Sequence, residues 1–217
     1  MFETFYKEIE NIEGWFSKED AKIFYDTIPK LKNLGSMVEI GSWCGKSLIF
    51  SYLIAKNNNN NCKKYSIDPF VTSKNDPNGK YEQFITNLKK YNIENKITHI
   101  KEKSNEAGKN FKDKIEFLFL DGFHVYEYVK EEFNLFFKKV IKNGFVLFHD
   151  VGSWYGPTQL VYELAEKNDN IKFLTFSGRT ILAEKVDNLT KQDKENNLKI
   201  ANSIKENIKS KNIKLKY

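Results

Sequence analysis

Met37-Val-Glu39-Ile-Gly41-Ser-Trp43-Cys-Gly45-Lys-Ser47 is the stretch on which the fold turns. Its apolar start, Met37 to Ile40, reads as a strand, and the pattern from Lys46 to Ala55 reads as a helix. The two glycines therefore fall where a strand hands over to a helix. Glycine lets backbone approach a ligand closely, and a helix N-terminus presents free N–H groups to a carboxylate or phosphate. Taken alone, Gly41 and Gly45 fit a tight turn as well as a ligand loop.

Outward from this loop the chain alternates in kind. Ser17 and Asp20 have capping-box spacing, which opens a helix over 18–34 with Gly35 as its stop. After the helix at 46–55, the stretch Lys64 to Asp68 reads as a strand, completing a β-α-β unit. A polar loop with Asp76, Pro77, Asn78 and Gly79 precedes a helix from Tyr81 to Tyr91 and a strand from Ile97 to Glu102. Ile115 to Leu120 is apolar except for Glu116, as expected of a strand covered on both faces. Val125 to Val140 has helical periodicity, Asn143 and Gly144 read as a turn, and Phe145 to Phe148 as another buried strand. Pro157 suits the first turn of a helix ending near Lys167. Ile171 to Phe176 and Thr180 to Ala183 are joined by so short a link, around Ser177 and Gly178, that they predict an antiparallel hairpin. The expectation is an α/β, Rossmann-like fold: a mostly parallel seven-stranded sheet, helices on both faces, and a C-terminal antiparallel hairpin. In the tail, Ala201, Ile204 and Ile208 make a thin apolar stripe among lysines, which predicts a surface helix that frays. One domain over 1–184 with a Lys-rich helical tail over 185–217 is the predicted organisation.

The net charge of +6 raises the question of nucleic acid. Residues 185–217 hold nine Lys against four Asp or Glu, so the body of the chain is nearly neutral. Arg179 is the only arginine, although phosphate and base recognition favour the guanidinium fork. Both facts argue against a nucleic-acid partner. Cys44 and Cys62 lack the number and spacing of a disulfide framework or a metal site. No segment approaches the roughly 18 apolar residues of a membrane helix, and no basic stretch precedes an apolar run at the N-terminus. The expectation is a cytoplasmic protein that meets a small molecule and no membrane, with homo-oligomerisation left open.

Ligands of open α/β sheets bind outside the carboxyl ends of the strands. Asp68 ends the second strand, where an acid can accept hydrogen bonds from a ribose diol; it also fits a turn initiated before Pro69. Ser104 lies just past the third strand, Asp121-Gly-Phe-His124 past the fourth, and His149-Asp150 past the fifth. His124 can also be read as orienting the helix that follows it, and Asp150 as orienting either histidine. His99, within a strand, reads as structural or exposed.

The glycine spacing departs from the G-x-G-x-x-G dinucleotide fingerprint and from the phosphate loop. It resembles the E/D-x-G-x-G-x-G pattern of class I methyltransferases, with Glu39, Gly41 and Gly45 matching and Trp43 in place of the middle glycine. Together with Gly14-Trp15, Ile67-Asp68-Pro69, Asp121-Gly-Phe-His124-x-Tyr126 and Gly144-Phe-x-x-Phe-His149-Asp150, it resembles methyltransferase family 24 over roughly residues 14–184. That group is similar to macrocin- and mycinamicin-type sugar O-methyltransferases and, more distantly, to metal-dependent catechol enzymes. The resemblance implies S-adenosylmethionine as cofactor. Gly41 and the neighbouring backbone would face its methionine part, with Ser42, Gly45 and Ser47 in the same loop and helix start. Glu39 would help place its amino group, Asp68 the ribose and Ser104 the region of the adenine, with Asp121 also close to the cofactor. It implies His124 as general base, with His149 next in line, and Asp121 and Asp150 as ligands of Mg²⁺. His149 stands where metal-binding relatives usually have an acid, and imidazole is a poor Mg²⁺ ligand, so the metal stays open.

The chemistry is coherent. Methyl transfer from a sulfonium is an in-line displacement, and an alcohol is a weak nucleophile until its proton is removed, a task suited to histidine. The expectation is O-methylation of a small-molecule hydroxyl, such as that of a sugar. A nicotinamide-dependent oxidoreductase is disfavoured by the glycine spacing. An RNA or DNA methyltransferase is disfavoured by Asp121-Gly-Phe-His124, where base N-methylating enzymes commonly show Asn/Asp-Pro-Pro-aromatic. A non-catalytic protein on the same fold remains the third alternative.

Overall fold

The computed structural model describes residues 1–71, 80–210 and 212–217; the loop at Asp76 to Gly79 lies outside them. Seven strands form one sheet: β1 (Ser36–Ile40), β2 (Lys64–Ile67), β3 (Thr98–Ile100), β4 (Ile115–Leu120), β5 (Val140–Phe148), β6 (Ile171–Ser177) and β7 (Thr180–Lys185). Their order is β3-β2-β1-β4-β5-β7-β6, parallel except for β7, which runs antiparallel to both of its neighbours. The order reverses beside β1, so the ends of β1, β2, β4 and β5 frame one crevice.

Alternation along each strand builds a core on either face. Phe117 and Phe119 of β4 face α1 (Phe2–Ile9), α2 (Lys18–Thr27), α3 (Lys46–Asn57) and α4 (Tyr81–Lys90), where Phe24, Phe50 and Phe84 are fully buried. Leu118 and Leu120 face the other way. They meet the side formed by the short α5 (Ser104–Asn110), α6 (Tyr126–Phe137), α7 (Tyr155–Lys167) and α8 (Lys191–Ser210).

Four sequence expectations need correction. The helical periodicity after Val125 ends at Phe137, and β5 already begins at Val140, ahead of the expected start at Phe145. Asn143 sits within β5 in the left-handed region, φ 62°, near an irregular register against β4, so the expected turn is a kink inside a strand. The second helix gives way to a 3-10 turn at Ile28–Lys30 because Pro29 supplies no amide hydrogen. The tail is no fraying surface helix: Ala201 and Ile204 are buried, and the fully buried Asn197 joins α8 to β6. Its Oδ1 accepts from Phe173 N (2.8 Å) and its Nδ2 donates to Ile171 O (2.8 Å). Beyond α8 the chain returns to α7: Tyr155 N donates to Lys216 O (2.9 Å), Lys216 N to Ser153 O (3.1 Å), and the Tyr155 and Tyr217 rings stack at 4.9 Å. Among the described residues no helix is long and apolar enough to cross a membrane.

Candidate active site

The β1 loop turns through three residues in the left-handed region, Gly41 (φ 83°), Trp43 (φ 47°) and Gly45 (φ 83°). A Cβ at Gly41 would lie 2.0 Å from the Asp121 carbonyl oxygen, so only glycine lets β1 and β4 end side by side. Trp43 takes the conformation that a glycine would adopt most readily. Asp68 fastens the loop: its Oδ2 accepts from the amides of Ser42 (2.8 Å) and Trp43 (3.0 Å), and its Oδ1 from Phe70 N (2.7 Å). Ser42 Oγ lies 2.8 Å from Ser66 Oγ. Glu39 is buried behind this turn, and its Oε1 has no hydrogen-bond partner. Burial, reinforced by Asp121 and Asp68, pushes its carboxyl up to about 8 against the pull of the Ser47 and Ser42 hydroxyls.

At the ends of β4 and β5 the charges are paired. His124 Nε2 is 2.8 Å from Asp150 Oδ2, and its ring stacks on Trp154 with centroids 4.3 Å apart and an interplanar angle of 13°. Asp150, itself in the left-handed region (φ 57°), has Oδ1 2.7 Å from Arg179 Nη1. His149 is 2% exposed; Nδ1 bonds Asp121 Oδ1 (2.8 Å) and Nε2 faces Asp20 Oδ2 (3.4 Å). Burial opposes a charge on this imidazole, but Asp121, Asp150 and Asp20 together raise it well above the ordinary histidine value, which favours the imidazolium form. Asp20 shows the reverse balance. Burial would raise it, yet His149, Ser17 and the Arg179 amide hold it well below the usual carboxylate range. Asp150 is likewise held low despite burial, by His124, His149 and Arg179.

One cleft of about 760 Å³ joins the two ends, and Gly41, Ser42, Ser47, Asp68, Ser104, Asp121, His124 and Asp150 all line it.

Comparison with known proteins identifies this arrangement. The family model Methyltransf_24, described as a methyltransferase domain, matches residues 38–151, just over half of the chain. The chain belongs to methyltransferase family 24. A curated relative, the uncharacterized protein R132 of Acanthamoeba polyphaga mimivirus, is 29% identical over 166 residues, 74% of this chain; the match spans 65% of that longer protein. Solved structures share the fold at low identity. The O-methyltransferase NovP matches with TM-score 0.67 and 13% identity over 80% of this chain and 83% of its own. The S-adenosylhomocysteine-bound methyltransferase PaMTH1 of Podospora anserina matches with TM-score 0.63 and 12% identity over 86% and 88%. TomG of Streptomyces achromogenes, an O-methyltransferase of tomaymycin synthesis solved with S-adenosylmethionine, matches with TM-score 0.59 and 12% identity over 85% and 87%.

Three of the residues expected at the site of this methyltransferase are not among those that line the cleft. Glu39 lies directly behind the loop, 4% exposed. Gly45 caps α3, where a Cβ would press on the Phe84 ring at 3.1 Å, so it shapes the turn. His149 lies beneath the cleft floor as a counter-ion, which removes it as a base in reserve. Other residues escaped the sequence reading. Asp20 is the capping-box acid that Ser17 predicted, with Ser17 Oγ accepting from Asp20 N, and the same carboxylate also reaches His149. Arg179 comes from the β6–β7 hairpin, and Glu132 of α6 lines the cleft with its carboxylate bonded by Ser104 Oγ. Burial pushes the Glu132 carboxyl up to about 7 against that bond.

The residues expected to hold Mg²⁺ are close: Asp121, His124 and Asp150 each place a ligand atom within 4.8 Å of the others. The donor set does not fit the ion. Both Asp150 oxygens face cationic or imidazole groups, and Asp121 Oδ1 is taken by His149. Hard divalent ions need free oxygen ligands.

Proposed function

We infer that the chain transfers a methyl group from S-adenosylmethionine to a hydroxyl of a small-molecule acceptor, as a cytoplasmic enzyme. The observation that carries this reading is Glu39, a buried carboxylate with an unpaired oxygen directly behind a left-handed glycine turn. A buried polar atom without a partner is costly unless a ligand completes it, and the cofactor's ammonium supplies the matching charge. Asp68 lines the cleft and, after accepting three amide bonds, keeps one of about four acceptor sites, on Oδ1, which suits a ribose hydroxyl. When bound, S-adenosylmethionine supplies a methyl carbon activated by a sulfonium.

The residues of the chain do the rest. His124 lines the cleft with Nε2 turned to Asp150, so with the proton on that nitrogen Nδ1 keeps the lone pair that takes the acceptor's proton. The hydroxyl oxygen forms the new C–O bond as the C–S bond breaks, and the proton rests on His124. Asp150 and the Trp154 ring fix the imidazole in place. Exposed aromatic side chains at the cleft, Trp15, Trp43 and Phe123, suit an acceptor with apolar faces. The acceptor hydroxyl is supported by the O-methyltransferases among the structural relatives.

Calorimetric titration with S-adenosylmethionine and with NAD tests the cofactor. Binding of the first, weakened by Asp68→Ala, is expected; binding of NAD alone overturns the reading. With an acceptor in hand, His124→Ala is expected to lower methyl transfer about 10²-fold or more with cofactor affinity nearly unchanged, the usual scale for loss of a positioned base. Wild-type turnover by that variant would remove His124 from the chemistry.

A further inference from the structure

Arg179 is the only arginine of the chain, and its side chain and amide are tied to the catalytic end of the cleft. It follows Gly178, which turns the β6–β7 hairpin at φ 60°. Its amide donates to Asp20 Oδ1 (3.0 Å), its Nη2 to Trp15 O (3.0 Å), and its Nη1 lies 2.7 Å from Asp150 Oδ1. The guanidinium is held from several sides, and its charge is permanent at any working pH.

What it meets is a cluster with the spacing of a metal site, one ligand atom from each of Asp121, His124 and Asp150 within 4.8 Å. A divalent ion there would need an oxygen of Asp150, of which Oδ1 faces Arg179 and Oδ2 faces His124 Nε2. It would also sit beside His149, whose Nδ1 is 3.7 Å from Asp150 Oδ2 and bonded to Asp121 Oδ1. Charges of one sign at such distances repel one another.

We propose that Arg179 stands in place of a divalent cation, closing the Asp121–His124–Asp150 cluster to metal ions and supplying the chain's own positive charge to it. The cluster is then a latent metal site. Taking away the guanidinium frees Asp150 Oδ1 and opens it, whereas lysine, which keeps a cation, leaves it closed.

The probe is Mn²⁺, which accepts carboxylate and imidazole ligands, followed by electron paramagnetic resonance without cofactor or acceptor. Because no cofactor enters the measurement, its outcome is independent of the methyl-transfer reading. The wild-type chain is expected to bind no Mn²⁺ at submillimolar concentrations. Arg179→Met is expected to bind it at least tenfold more tightly than wild type, and Arg179→Lys no better than wild type. Adding Asp150→Asn to Arg179→Met should abolish the gain. Micromolar binding by the wild type that Asp121→Asn removes would overturn the proposal, and this holds even if Arg179→Met fails to fold. A folded Arg179→Met that gains nothing, or gains binding insensitive to Asp150→Asn, would overturn it too.

Discussion

At the β1 end of the cleft a single carboxylate, Glu39, is buried with an oxygen that meets no partner; at the β5 end Asp20, Asp121 and Asp150 are gathered around His149, His124 and Arg179. Both ends are acidic and both are buried, yet only the second carries its own counter-charges. Burial of a charge costs free energy; at the β1 end it is met by holding the Glu39 carboxyl protonated up to about 8, at the β5 end by neighbouring counter-charges. At one end compensation is left to a ligand, so affinity arises there. At the other it is built in, so the geometry around His124 exists before anything binds.

The widest gap between the two ends should appear on removing a charge from each. His149→Leu strands Asp20 and Asp121 and is expected to cost about 3–5 kcal/mol in urea unfolding, the range for breaking a buried pair. A cost under about 1 kcal/mol would mean the β5 end is not compensated internally. The raised His149 value gives a pH signature. Its stabilising contribution is complete below the ordinary histidine value and is lost as pH climbs through the raised one. The melting temperature should therefore fall toward alkaline pH, and less so in the variant.

Gly41 is where the two ends touch. Gly41→Ala puts a methyl group 2.0 Å from the Asp121 carbonyl oxygen at a φ of 83°, and strain with overpacking should cost about 2–4 kcal/mol. Cofactor binding, read by calorimetry, should weaken along with stability. Loss of stability without loss of affinity would show that the two ends are not joined through Gly41.

The smallest effect sharpens the contrast most. Glu39 titrates near 8 in the folded chain against an ordinary 4.5, so the cofactor-free protein is expected to lose stability as pH rises from about 4.5 to about 8. Because a cationic ligand favours the ionised carboxylate, affinity for S-adenosylmethionine should rise over the upper part of that window and level off above about 8. Glu39→Gln should flatten the affinity profile and leave the apo fold as stable or more so. A wild-type profile already flat would show that Glu39 does not face the ammonium.

What could be read from the sequence was whatever is local or repeats along the chain. Largely apolar runs such as Ile115 to Leu120 located strands, and glycines at Gly41 and Gly45 located the loop, because burial on two faces and left-handed backbone each leave a mark on neighbouring residues. The residues at strand ends followed from topology. Asp20 and Arg179 did not, since a contact across 129 residues with His149, or between a hairpin tip and Asp150, leaves no periodic trace. Asp20 was visible only in its local role, as partner of Ser17. Val140 was read as the end of a helix because the periodicity of α6 runs straight into it, and strand pairing with β4 overrides it. Asn197 was hidden by composition: one buried amide among lysines reads as solvated surface.

The return of residues 213–217 to Ser153 and Tyr155 places the end of the chain beside Trp154, with Lys216 Nζ 5.4 Å from that ring and His124 stacked on its plane. In a chain made from the N-terminus onward, all seven strands leave the ribosome before this segment does. Residues 213–217 would then settle against Ser153 and Tyr155 after the sheet has begun to pair, closing the wall behind Trp154 last.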